Sequence, residues 1–236
     1  MEEVPLEGGN VTVGLVRVGD TVRRPAGPWT AAVHALLTHL SDVGFDGAPR
    51  SLGLDERGRH VVEWIDGAVT HPYEPGPSLV DVGRLARRLH DATAGFVAPG
   101  DAVWGTVIPP DGDDLVVHHD LASWNLVHGA GRVVLIDWDA AGPGTRLGDL
   151  AWAAISFADL DPAGVRALAD GYGLDEVDRR ALADLLPRRA QGMTDLLRTG
   201  SEPWSRLAAE GHLEAWDSIT ARARSSGADV LAALLA

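Results

Sequence analysis

The chain has 236 residues, 45% hydrophobic and 23% charged, enough to bury a large core without help from disulfides or structural metal. Twenty basic residues against 34 acidic ones give a formal net charge of −14, which argues against a binder of the nucleic-acid backbone and permits a cationic partner. Cysteine and lysine are both absent, which excludes disulfides, thiolate nucleophiles, cysteine-ligated zinc, the P-loop pattern GxxxxGK[ST] and Schiff-base chemistry.

The acidic N-terminus MEEVPLEGGN lacks the apolar stretch of a signal peptide, and no apolar run reaches the ~20 residues of a membrane span, so a cytoplasmic location is expected. Val11, Val13, Leu15, Val16 and Val18 read as strand, Gly19-Asp20 as a turn, and Thr21–Arg24 as a second extended segment stopped by Pro25 and Pro28. Thr30 is expected to cap a helix whose Val33, Leu36, Leu37 and Leu40 form one face, ending near Gly44. Short strands fit Pro49–Leu54 and His60–Ile65, and a lobe boundary falls around Glu63–Gly67. Ser78 and Asp81 have capping-box spacing before a helix carrying Leu79, Val82, Leu85, Ala86 and Leu89. Ala98–Asp114 reads as loop. Leu126–His128 and Val133–Ile136 read as a hairpin about Gly129-Ala130-Gly131. From Asp149 onward the pattern is helical, with breaks expected at Pro162, Gly171, Pro187, Gly200–Pro203 and Gly211. The order implies an α+β fold in two lobes: residues 1–65 as a sheet lobe with one helix, residues 66–236 as a mostly helical lobe.

The segment from Val116 to Asp139, VVHHDLASWNLVHGAGRVVLIDWD, carries the chemistry. Asp120 follows His118-His119, Asn125 lies five residues further on, and Asp137 comes after the hairpin. Phosphoryl transfer needs a positioned acceptor hydroxyl and a divalent metal on the phosphate oxygens, with little covalent work from the protein. Asp120 could accept the hydroxyl proton. The amide oxygen of Asn125 and the carboxylate of Asp137 are the hard ligands Mg²⁺ prefers, and the hairpin brings them together.

This constellation resembles the aminoglycoside phosphotransferase and choline kinase branch of the protein-kinase-like fold, whose catalytic loop reads H-G-D-x-x-x-x-N and whose metal motif reads I-D-W-D or similar. The resemblance implies Mg²⁺ and ATP, or GTP, as co-substrate. It makes Asp120 the general base, with His118 in the catalytic set holding the loop, and Asn125 and Asp137 the metal ligands. Gly8, Gly9 and Asn10 look like the phosphate-covering loop, and Val61–Ile65, including Glu63 and Trp64, like the hinge whose backbone meets adenine. Asp149 in Gly148-Asp149-Leu150-Ala151 looks like the helix-start residue bracing the catalytic loop, and an ordinary helix cap is the plainer reading. Trp138 corresponds to an aromatic that packs, and Trp124 is placed to border the acceptor. Asp139 reads equally as a second metal ligand or an exposed carboxylate.

The chain departs from the family in three places. The third-strand lysine that pairs with the α- and β-phosphates is missing, so Arg23 or Arg24 must serve; Arg24 shares a strand face with Val22 and is preferred. The partner glutamate on the next helix is missing, with His34 near its position. His119 stands where the family often has glycine.

The expected function is therefore transfer of the γ-phosphoryl of a nucleoside triphosphate to a hydroxyl of an aminoglycoside-like or other amino- or hydroxyl-rich small molecule, with no nucleic-acid or membrane partner. The acidic balance suits a cationic acceptor, and Asp159, Asp161, Asp195, Glu202, Glu210, Glu214 and Asp217 occur in the helical half where the family binds acceptors, although scattered solvent-facing carboxylates are the plainer reading for most of them. The alternative is a catalytically impaired kinase-like binding module for nucleotide or a cationic small molecule, suggested by the missing lysine and glutamate. A metal hydrolase built on His118, His119, Asp120 and His128 is disfavoured, because adjacent histidines on extended backbone point apart; His128 reads as structural.

Overall fold

The computed structural model describes residues 2–6, 14–70, 76–129 and 131–236. The expected phosphate-covering residues Gly8, Gly9 and Asn10, and Val11 and Val13 of the first strand, lie outside these. The N-terminal part is an antiparallel sheet of five strands: β1 (Val4–Pro5), β2 (Val16–Val18), β3 (Thr21–Arg24), β4 (Ser51–Leu54) and β5 (His60–Glu63), in the order β1-β2-β3-β5-β4. Helix α1 (Thr30–Asp42) buries Val33, Leu36, Leu37 and Leu40, the face its periodicity predicts. Thr30 is not the cap. It is the first helical residue, and its hydroxyl accepts from the Gly27 amide at 2.9 Å, closing the turn that leads into the helix.

Alternation along β3 decides what faces what. Val22 pairs with Val62 and Arg24 with His60 across the β3–β5 ladder, while Arg23 turns to Thr21 and to Asp55 at 3.6 Å. His60 is 3% exposed and bonds Ser51 Oγ at 2.8 Å; Ser51 in turn meets His34 Nδ1 at 2.5 Å. Burial, reinforced by the charges of Arg24 and His34, pushes His60 down to about 4 from the ordinary 6.5. A histidine neutral in the folded state and protonated in the unfolded one destabilises on acidification. Its contribution is complete above about pH 6.5 and is lost as pH falls toward 4. Urea midpoints measured across that window should fall for the native protein and fall less steeply for His60→Gln.

The C-terminal part is built on helices. α2 (Leu79–Thr93) starts with the Ser78 hydroxyl accepting from the Asp81 amide at 3.2 Å. It buries Val82, Leu85, Ala86 and Leu89 against α4 (Pro162–Tyr172). Gly171 does not break α4; the helix runs on to Gly173, which takes the left-handed φ of +82°. Gly171 serves packing instead: a Cβ there would lie 2.1 Å from the Val80 carbonyl oxygen, and one at Gly83 2.2 Å from that of Leu168, so the pair lets the two helices touch backbone to backbone. Pro187 does not end its helix either, since α5 runs unbroken over Glu176–Thr199. Proline removes one ladder bond, but Leu182, Leu185, Leu186, Ala190 and Leu197 are buried around it and fix the axis. The remaining helices are α3 (Arg146–Ser156), α6 (Trp204–Leu207), α7 (Leu213–Ser225) and α8 (Gly227–Leu235). Among the described residues no helix is long and apolar enough to cross a membrane.

Two small ladders hold the segment of chemical interest. β6 (Ala68–Val69), β8 (Leu126–Gly129) and β9 (Arg132–Leu135) form one, with the expected hairpin between the last two; β7 (Leu115–Val117) and β10 (Gly142–Gly144) form the other. Gly-Pro-Gly pairs with β7, and glycine is required at both ends because a Cβ at Gly142 would meet Thr106 Oγ1 at 2.2 Å and one at Gly144 would meet Val117 Cγ2 at 2.7 Å. Ladder β7–β10 positions the chain entering His118, and the β8–β9 hairpin joins Asn125, just before β8, to Asp137, just after β9.

Candidate active site

Asp120 follows β7 at the head of a short turn in which Ser123–Asn125 coil as one 3₁₀ turn. Both its oxygens are engaged: Trp152 Nε1 donates to Oδ1 at 2.8 Å and Asn125 Nδ2 to Oδ2 at 2.7 Å, with Trp124 Nε1 at 3.5 Å. Burial pushes the Asp120 carboxyl above its usual range and Asp137 adds to this, against the lowering influence of His118, Trp152 and Asn125. The result is a fixed, more basic carboxylate, the property a proton acceptor needs.

Asn125 also donates from Nδ2 to the Asp120 carbonyl at 3.1 Å, which leaves its amide oxygen without a partner among the described residues. Its backbone carbonyl accepts from the Ile136 amide at 2.8 Å, so the hairpin delivers Asn125 beside Asp137. Asp137 sits in the left-handed region at φ 62°, ψ 67°, and opens a 3₁₀ turn, Trp138–Ala140. A carboxylate and a free amide oxygen on adjacent strand ends are a donor set that suits a hard divalent cation such as Mg²⁺.

Arg24, and not Arg23, reaches this place. Its Nη2 donates to Asp137 Oδ1 at 2.5 Å and to Asp139 Oδ2 at 2.6 Å, while Nε is buried without a partner. Burial alone would weaken the guanidinium's hold on its proton, but Asp137 and Asp139 reverse this and keep Arg24 charged. Asp139 thus belongs to the same charge cluster rather than to the solvent. His34 does not stand in for the missing glutamate as an acidic partner of Arg24; it reaches the sheet through Ser51 and His60.

Two histidines and one aspartate fix the turn that carries Asp120. His118 Nδ1 accepts from the Asp120 amide at 3.2 Å, so the ring carries its proton on Nε2 and donates to the Ile136 carbonyl at 3.1 Å. One imidazole thereby ties the turn of Asp120 to the strand preceding Asp137, and Trp138 packs edge-on against it at 4.6 Å. His119 adopts φ 63°, a conformation that favours glycine. Here its amide donates to Asp149 Oδ1 at 2.8 Å, its ring meets the Pro143 carbonyl at 2.9 Å, and its carbonyl accepts from Arg189 Nη2 at 2.9 Å. Asp149, 1% exposed at the start of α3, also accepts from the His118 amide at 3.4 Å and meets His90 Nε2 at 3.1 Å. It braces the turn rather than capping the helix, whose cap is Thr145.

The hinge residues show which atoms remain available. The Glu63 amide donates to the Arg50 carbonyl at 2.9 Å and the Trp64 amide to Asp20 at 2.9 Å. The Glu63 carboxylate is held by Arg132 at 3.0 Å and Arg50 at 3.4 Å, and Arg17 lies 4.3 Å over the Trp64 ring. Most of the acidic residues expected to suit a cation in the helical half already have partners. Asp161 caps α4; Asp159 pairs with Arg222, Glu210 with Arg206, and Asp195 and Asp217 with Arg198; Glu202 accepts from Ser205.

Sequence reasoning missed Trp152, His90 and Arg189. Trp152 was detectable, because it lies three positions after Asp149 on one helix and so shares its face. His90 and Arg189 come from distant helices, and nothing local marks them.

Residues 101–185 match the family described as APH, phosphotransferase enzyme family. The chain is 36% identical over 211 residues to a trifolitoxin immunity protein of Rhizobium leguminosarum bv. trifolii, covering 78% of this chain and 79% of the relative. Among solved structures it resembles a choline/ethanolamine kinase family protein from Mesorhizobium loti (TM-score 0.70, 18% identity, 99% of this chain and 92% of the other). It also resembles the amicoumacin kinase hAmiN, solved with AMP-PNP, Ca²⁺ and Ami (TM-score 0.62, 16% identity, 93% and 90%), and the ADP-bound aminoglycoside phosphotransferase APH(2'')-Ib (TM-score 0.56, 10% identity, 93% and 92%). With its antiparallel N-terminal sheet and helical C-terminal part in the protein-kinase-like arrangement, the chain belongs to the APH phosphotransferase family.

Proposed function

We propose that this protein transfers the γ-phosphoryl group of ATP or GTP to a hydroxyl of a small molecule, residues 1–65 covering the nucleotide and residues 66–236 carrying the acceptor. The observation that carries the reading is the Asp120–Asn125 bond of 2.7 Å joined, through Asn125 and Ile136, to Asp137. Asp120 takes the acceptor's hydroxyl proton as the oxygen bonds to phosphorus and the nucleoside diphosphate leaves with the bridging oxygen. Asn125 Oδ1 and Asp137 would hold Mg²⁺, which when bound neutralises charge on the phosphate oxygens. Trp152 and Asn125 orient the base, and His118 and Asp149 keep its turn in register with the metal ligands. Backbone contact with the base would fall to the hinge carbonyls and to the amides of Ile65 and Asp66, because those of Glu63 and Trp64 are already bonded.

The immunity relative supports an acceptor of antibacterial action, inactivated by phosphorylation. The paired state of the acidic side chains gives a polycationic acceptor no particular support. A panel of aminoglycosides, macrolides, amino sugars, choline-like amines and peptide toxins, incubated with Mg²⁺ and γ-labelled ATP or GTP, tests the proposal. Label transferred to at least one hydroxylated compound supports it; nucleotide binding with no transfer supports the binding module. That second reading is favoured by one observation, the seating of Arg24 on Asp137 and Asp139. Asp137→Asn separates the two: loss of the Mg²⁺-dependent part of nucleotide affinity, by about tenfold or more for one lost charged ligand, is expected if the carboxylate serves the metal. An unchanged affinity in calorimetric titration with and without Mg²⁺ would remove Asp137 from the metal site.

A further inference from the structure

A cavity of about 780 Å³ lies between α5 and the segment of residues 107–111. It has the size of a small-molecule pocket, and much of its wall is apolar, with Ile108, Pro187 and Leu196 prominent. None of the candidate catalytic or metal residues lines it.

Its charges are unusual for this protein. Among the described residues, every arginine except Arg17, Arg189 and Arg224 has a carboxylate partner in an ion pair. Two of these three line this one cavity. Arg189 is 6% exposed, its Nε is buried without a partner, and its Nη2 is spent on the His119 carbonyl. Asp149, Asp111 and Asp120 act on the Arg189 guanidinium only from a distance, no carboxylate forms an ion pair with it among the described residues, and burial still weakens its hold on its proton; the face of Trp152 at 5.0 Å offsets only part of that cost. Arg224 bonds only a neutral group, Gln191 Oε1, at 2.6 Å. The two carboxylates at the wall are already committed: Asp111 to Arg188 at 2.7 Å, Asp195 to Gln191 at 2.6 Å.

We propose that this cavity binds a small organic carboxylate with an apolar body, its carboxylate meeting Arg189 and Arg224. A guanidinium fork matches a planar carboxylate, and the apolar wall requires a carbon skeleton. The nearby Asp111 and Asp195 disfavour a dianion such as free phosphate, which would also leave most of the volume unfilled. The inference stands apart from the phosphotransferase reading, although Arg189 touches both places: the guanidinium that faces the ligand also holds the carbonyl preceding Asp120.

The test uses 2-naphthoate, its neutral counterpart 2-naphthamide and inorganic phosphate as probes, with binding read by ligand-observed NMR on the full chain. 2-Naphthoate is expected to bind at least about tenfold more tightly than the amide, the difference of one charged bidentate contact. Arg224→Gln, on an exposed side chain outside the catalytic turn, should weaken it about fivefold or more, and Arg189→Gln should do the same. Equal affinity for acid and amide, no binding of 2-naphthoate, no effect of Arg224→Gln, or displacement by equimolar phosphate would each overturn the proposal. Nucleotide affinity measured on the same samples without naphthoate reports on the kinase reading independently, so the two can fail separately.

Discussion

Asp120→Asn is expected to lower turnover by roughly 10²–10⁴-fold, the span usual for removal of a positioned general base. The substitution keeps size and shape but deletes the proton-accepting oxygen. An asparagine can present its oxygen to Trp152 Nε1, where Asp120 Oδ1 now sits, but its amino group then faces Asn125 Nδ2, itself a donor. One misfitted hydrogen bond costs on the order of 1 kcal/mol, so nucleotide affinity should fall by less than about tenfold. The split is the point of the experiment, because a merely structural defect would damage both. The pH profile adds a second reading. Only the ionised carboxyl accepts a proton, and burial raises the Asp120 pKa above the ordinary 3.8. Wild-type turnover should therefore rise with pH along a limb displaced upward from that value, and the variant should lack that limb. Full activity in Asp120→Asn would transfer the base to another residue.

The grouping of the segment from Val116 to Asp139 was legible because its contacts are local. Asp120, Asn125 and Asp137 are joined by one turn and one hairpin, so spacing alone brings them together, and the Gly-rich turn after β8 announces the hairpin. The strand-face argument for Arg24 worked for the same reason: alternation along β3 is set by backbone geometry, and the pairing of Arg24 with His60 follows from it. What Arg24 would face was not legible. Its partners Asp137 and Asp139 lie more than a hundred residues away, and only the folded chain puts the arginine on them.

The failures concern residues whose usual meaning was overridden by packing. Gly171 and Pro187 read as breaks because glycine and proline end isolated helices. In α4 the glycine admits the backbone of α2, and in α5 the proline is outvoted by the apolar residues buried around it. β10 was missed because Gly-Pro-Gly has no strand propensity; its two glycines let the backbone pack against Thr106 and Val117, where a Cβ would clash, and so come within pairing distance of β7. Of the acidic residues of the helical half, Asp195 and Glu210 pair with arginines one turn away, as local spacing allows, whereas Asp159 and Asp217 meet arginines of distant segments that nothing local marks.

Asp149→Ala should cause the largest loss of stability of any single change near the site. The carboxylate is fully enclosed and accepts from two consecutive amides, those of His118 and His119, while facing His90 Nε2. Burial raises its pKa, but the hydrogen bond and charge of His90, with the two neighbouring histidines, overcome that and hold it at about 2. Alanine would leave two buried N–H groups and the Nε2 of His90 without partners, while His90 Nδ1 keeps the Tyr172 hydroxyl, a loss of about 3–5 kcal/mol by analogy with other broken buried pairs. Asp149→Asn should cost less, since its oxygen can still accept from the His119 amide. Because the folded pKa lies below the unfolded value near 3.8, the ionised carboxylate contributes fully above about pH 4, and the contribution is lost as pH falls toward 2. Urea midpoints at pH 7 should thus rank wild type above Asp149→Asn above Asp149→Ala, and the gap between wild type and Asp149→Asn should close in acid. A brace of this kind also explains how His119 keeps a left-handed backbone without being glycine: the Asp149 bond to its amide, the Pro143 bond to its ring and the Arg189 bond to its carbonyl together compensate the cost of about 1–3 kcal/mol that such a conformation carries. If Asp149→Ala unfolded at the wild-type midpoint, the turn carrying Asp120 would have to be held by the β7–β10 ladder and the contacts of His118, Pro143 and Arg189, and Asp149 would have no part in setting the base.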